Sequence, residues 1–181
     1  SASNLLHGTS EKEGLSTLIK RMGPEELSER DLLESRIDLL EQTLSLLEPE
    51  NRLRDGLMEI ARERGYPFIK VRNEDIKGTL LSNICESQWQ LFEVYLDEME
   101  NEEIDPEDLE ALAEDQCHNL LMAGNHFQLL GRFKRAMEIY EKCREVLELY
   151  EKAVLKHPEH VTEWDIRKVK EAVSLNVSQL G

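Results

Sequence analysis

Leu33, Ile37, Leu40, Leu44 and Leu47 recur at alternating steps of four and three residues. This spacing keeps apolar side chains on one side of an α-helix. Similar stripes follow along most of the chain, and they constrain the fold more than any other feature. A sheet needs apolar residues at every second position, and a helix-period pattern cannot supply one. The only strand-like stretch is YPFIKV at 66–71. Pro67 and the lack of a second such run make it an extended connector.

The punctuation between stripes predicts the elements. Residues 1–10 are small and polar and read as a disordered N-terminal segment; 11–181 reads as a single all-helical domain. A short stripe at Leu15, Leu18, Ile19 and Met22 ends at Gly23-Pro24. The leucine seam then runs to Leu47 and stops before Pro49. A second arm, with Leu53, Leu57, Ile60 and Ala61 on one face and Gly65 as its cap, completes a hairpin over 24–64. Asn73 opens a long helix over 73–99, with a core from Ile76 to Leu96. Asp105-Pro106 starts the next helix, Gly131 ends it, and Phe133 begins its partner, giving a hairpin over 106–157. Thr162 to Asp165 resembles a capping box for a last helix over 163–180, which buries Ile166, Val169, Val173, Val177 and Leu180. The expected fold is therefore all-α: an array of antiparallel helical hairpins with about six to seven helices.

Hydrophobic residues make up 40% of the 181, enough for a real core, and formal net charge is −16. Such a surface repels phosphates, which argues against nucleic acid and against anionic lipid, so no nucleic acid and no membrane are expected. No apolar run spans a bilayer and no charged-then-apolar leader opens the chain. Its first residue, Ser1, suggests a processed or excised chain. Cys85, Cys117 and Cys143 lack CxxC spacing and read as reduced thiols of a cytoplasmic protein.

Within 117–150 spacing and residue type agree in a specific way. Leu120, Gly124 and Phe127 are followed by Gly131 at a turn, then Phe133, Ala136, Tyr140 and Cys143. Small residues at Gly124, Ala136 and Cys143 would let two helices approach closely, with Phe127, Phe133 and Tyr140 filling the space between. The stretch resembles one tetratricopeptide repeat and covers about a fifth of the chain. It departs from the family pattern at Ala123, where a larger apolar residue is usual, and near 148, where a proline is missing. Periodicity instead continues through Leu147, Tyr150 and Val154, so the second helix reads as extended. The resemblance implies a protein-binding inner face on the first helix, carried here by His118, Leu121, Asn125 and Gln128. Asn125 matches an asparagine that relatives use to clamp a terminal carboxylate. Leu121 stands where a clamp would use lysine, so an acidic tail is not the expected ligand.

Charge is unevenly spread. Between Gly78 and Gly131 there is no Lys or Arg, whereas thirteen acids occur, among them Glu102, Glu103, Glu107 and Asp108. These four form the candidate acidic patch, suited to a basic or neutral protein segment. Arg132, Lys134, Arg135, Lys142 and Arg144 follow and could pair with acids on neighbouring helices.

Chemistry has less to stand on. Glu114 or Asp115 with His118 gives one carboxylate–histidine pair per helix face, without the second copy that helical di-iron sites use. Glu93, Asp97 and Glu98 have usable spacing for magnesium but no ordered second acidic helix. Cys117 and His118 are neighbours and face different ways. No catalytic residue, metal ligand or cofactor is expected. The reading is a non-enzymatic protein–protein interaction module, an adaptor or scaffold. Its alternatives are a metal-dependent all-helical hydrolase with carboxylate ligands and a structural homodimer through the 33–47 seam.

Overall fold

The computed structural model describes residues 28–47, 52–65 and 73–180. Among them are six helices and no strand: α1 (Glu29–Ser45), α2 (Arg52–Glu63), α3 (Asn73–Glu100), α4 (Pro106–Leu129), α5 (Phe133–Leu155) and α6 (Ile166–Leu180). The stripe at 15–22, the start of the seam helix at 24–27 and the connector 66–71 lie outside the described residues. Contacts group the chain into two compact units, Ser1–Asn83 and Ile84–Gly181, where the sequence suggested one domain.

In the first unit α1 begins behind Ser28. The Ser28 hydroxyl accepts from the Asp31 amide at 3.2 Å, and the Asp31 carboxylate accepts from the Ser28 amide at 3.3 Å. Two amides at the helix start are thus satisfied reciprocally. Leu33, Ile37 and Leu44 are buried, while Leu40 and Leu47 are half-buried. Three of the five seam residues are thus fully covered. On α2, Ile60 is exposed, and Gly65 closes the helix at φ 67°.

In the second unit α5 packs on both α4 and α6. Its buried face presents Ile139, Tyr140, Cys143, Val146, Leu147 and Tyr150. The part of α3 beyond Asn83 contributes Ile84, Leu91, Phe92 and Tyr95. A polar bridge ties α3 to α4: Gln88 Nε2 donates to Asp115 Oδ2 at 2.7 Å, and Asn119 Nδ2 donates to Gln88 Oε1 at 3.1 Å. Across from α5, the Lys142 ammonium lies 3.8 Å from the Trp89 ring centroid on α3, a cation–π contact.

The last helix starts three residues later than its capping signal suggested. Asp165 Oδ1 accepts from the Lys168 amide at 3.2 Å and is the cap. Thr162 is engaged elsewhere, 3.2 Å from the Tyr150 hydroxyl. Of the five apolar residues expected to be buried on α6, Val173 is fully buried and the other four are half-buried. Three cations of α5 pair along their own helix, Arg135 with Glu138, Lys142 with Glu145 and Arg144 with Glu141.

Candidate functional site

The two surfaces singled out in the sequence lie at different places on α4. Asp105 occupies the position before its first turn with extended backbone, and Pro106 follows; the Asp105 side chain makes no capping bond. Glu102, Glu103, Glu107 and Asp108 are all exposed, so the acidic patch forms a contiguous segment of the α3–α4 turn and the first turn of α4.

Within that patch the backbone is strained. The Glu103 amide donates to the Glu98 carbonyl at 2.8 Å, and the Glu102 amide to the Met99 carbonyl at 3.2 Å. This paired closure ends a helix by putting one residue in the left-handed region. Here that residue is Glu102, at φ 58°. The same closure ends α4, where the Arg132 amide reaches the Phe127 carbonyl at 2.8 Å and the left-handed residue is Gly131, at φ 75°. A side chain in this conformation costs about 1–2 kcal/mol relative to glycine. Glu102→Gly is therefore expected to raise stability by about 1 kcal/mol, read from urea unfolding. An unchanged or lower midpoint would show that the Glu102 side chain repays its own strain.

On the side of α4 the four inner-face candidates separate. His118 and Asn125 are exposed; Leu121 and Gln128 are half-exposed. Asn125 and Gln128 are brought together by Tyr140 of α5. Its buried hydroxyl donates to Asn125 Oδ1 at 2.7 Å and to Gln128 Oε1 at 3.0 Å. One proton is thus shared by two carbonyl oxygens, and the –NH2 group of each amide is left for another acceptor. Tyr140 itself is placed by Gly124. A Cβ there would fall 2.7 Å from Tyr140 Cζ and 2.9 Å from Cδ1, inside any real carbon–carbon contact. Only glycine lets the ring lie flat against α4. Burial raises the Tyr140 phenol above its ordinary value, which keeps the donor protonated.

Nearer the start of α4 a second tyrosine makes a second anchor. The Tyr150 hydroxyl donates to Glu110 Oε1 at 3.0 Å. The same oxygen accepts from the Glu163 amide at 3.1 Å and lies 3.5 Å from His160 Nε2. Glu110 thereby ties the segment before α6 onto α4. Burial pushes the Tyr150 phenol up to about 12, aided by Glu110 and opposed by Thr162. The Tyr150 ring also sits 5.4 Å from that of buried Trp164.

The three cysteines, far apart in sequence, converge. Cys117 on α4 is hydrogen-bonded to Cys143 on α5, which raises the Cys117 thiol, with burial adding to the shift. Burial pushes Cys85 up to about 12. All three are buried free thiols, and thiols held neutral are poor nucleophiles.

No family model, curated protein or solved structure matches this chain.

Glu93 and Asp97 are exposed, and Asp115 is committed to Gln88. Among the described residues no three His, Cys, Asp or Glu side chains converge as metal ligands would. Phe133, expected between the helices, is instead 55% exposed. None of the described helices is long and apolar enough to cross a membrane.

Proposed function

We propose that the chain is a protein-interaction module whose 117–150 segment is a tetratricopeptide-like antiparallel helix pair. The acidic patch at the α3–α4 turn steers a basic or neutral segment toward the inner face at His118, Leu121, Asn125 and Gln128. The observation that carries this reading is the Tyr140 hydroxyl shared between Asn125 and Gln128. Two amides held by one buried group are preorganised, so their donors meet a partner's backbone carbonyls at reduced entropic cost. The pairing direction is supported by two contacts: Tyr140, early in α5, meets Asn125, late in α4, while Tyr150, late in α5, meets Glu110, early in α4. On this reading the protein is an adaptor or scaffold without catalytic residues.

The test is affinity capture with mass spectrometry, then surface plasmon resonance on the partner found. Replacing Glu102, Glu103, Glu107 and Asp108 with neutral residues should slow association and leave dissociation nearly unchanged. The association rate of the parent should fall as salt rises. Leu121→Ala with Asn125→Ala should chiefly speed dissociation. Binding that neither set alters would remove both surfaces from the mechanism.

A further inference from the structure

The end of α4 away from the acidic patch has the opposite character. None of the chain's 38 acids lies between Asp115 and Glu138, whereas Arg132, Lys134 and Arg135 cluster at the α4–α5 turn. The same turn exposes large apolar side chains: Leu129 at 87%, Phe133 at 55% and Leu130 at 38%. The helix start itself is built against its own interest. Acids favour a helix N-terminus and cations oppose it, yet α5 has no acid in its first turn and makes no side-chain capping bond at Arg132. Arg135 is partly engaged, 3.5 Å from Glu138, with both side chains about half exposed.

We propose that the α4–α5 turn is a docking tip for an anionic membrane surface. Leu129, Leu130 and Phe133 enter the interfacial layer, and Arg132, Lys134 and Arg135 meet lipid phosphates and carboxylates. Charge complementarity selects an anionic partner over a neutral one. A bilayer suits the shape better than an acidic helix does: the apolar groups crown a turn, whereas a partner helix is gripped by a groove or a stripe. The net charge of −16 argues against lipid when spread over the whole surface, but the segment 116–137 that forms the tip carries no acid. α4 has 24 residues, so the acidic patch stands about 36 Å away. That is several times the screening length of about 8 Å at physiological salt.

Flotation of the full chain with vesicles of phosphatidylcholine alone, or mixed with phosphatidylserine, tests this. Binding is expected to the mixed vesicles only and to weaken as salt rises. Lys134→Ser should lower it about fivefold, and Arg132→Ser with Lys134→Ser about 25-fold, the effect of basic residues near an anionic leaflet. Leu129→Ser with Phe133→Ser should abolish it while circular dichroism and thermal unfolding stay close to the parent, because both side chains are exposed. Glu107→Gln with Asp108→Asn should leave it unchanged. Equal binding to both vesicle types, no binding to either, or tip variants that bind like the parent would overturn the proposal. Failure on vesicles, with polyglutamate bound through the same residues, would put an acidic protein in the bilayer's place.

Discussion

Gly124→Ala is expected to destabilise the protein by about 1–3 kcal/mol, the usual cost of overpacking. The sign is the informative part. Helix propensity alone favours alanine over mid-helix glycine by about 1 kcal/mol, so a residue with no tertiary constraint would gain stability. Here the added methyl meets the Tyr140 ring, a side chain hydrogen-bonded at its far end to Asn125 and Gln128 and therefore not free to swing away. Gly124→Leu should cost more still. Glu138→Gln is the control, since Glu138 is exposed and its pairing with Arg135 is loose, worth well under about 1 kcal/mol. Truncating Tyr140 to alanine should be costly by itself but should relieve most of the Gly124→Ala penalty, a coupling a double-mutant cycle reads directly. Stabilisation by Gly124→Ala, or no coupling to Tyr140, would mean that α4 and α5 do not approach as described.

A second large effect is expected at alkaline pH. Burial holds Cys85 neutral up to about 12 against an ordinary 9.0, and Tyr150 up to about 12 against 10.0. Tyr140 and Cys117 are raised as well. The unfolded chain gives up these protons first, so between about pH 9 and about pH 12 it binds fewer protons than the native state, and stability falls as pH rises. Below about pH 9 the contribution is fully present. At about 1.4 kcal/mol per pKa unit, Tyr150 and Cys85 together account for several kcal/mol. That is a sizeable share of the ~5–15 kcal/mol that holds a domain together. Urea midpoints by circular dichroism across this range should decline steadily, and Cys85→Ala should flatten the early part of the decline. A constant midpoint up to about pH 11 would show that these groups reach water in the native state.

The local features of the fold were legible where local chemistry decides them. Helix-period stripes marked α3, α4 and α5 to within a few residues, and Gly131 marked the turn because a left-handed closure strongly prefers glycine. The same closure at Glu102 was invisible, since nothing in a glutamate announces a positive φ. The start of α6 was misread at Thr162 because a capping signal and a tertiary hydrogen bond compete for one hydroxyl, and Tyr150 takes it. Gln88, Gln116 and Asn119 are buried, which nothing in a polar side chain announces. Phe133 passed for core and is exposed, since apolar character records what a side chain prefers and not what covers it.

What the sequence determined by itself was helix content, the main breaks and the segregation of charge along the chain, because each follows from neighbours within a few residues. Tertiary structure alone decided which groups meet. It set the Tyr140 hydroxyl between Asn125 and Gln128, gathered three cysteines into one core, and left Leu129 and Phe133 bare beside Arg132 and Lys134. These outcomes depend on how whole helices pack, and packing is fixed by shape and burial summed over residues distant in sequence.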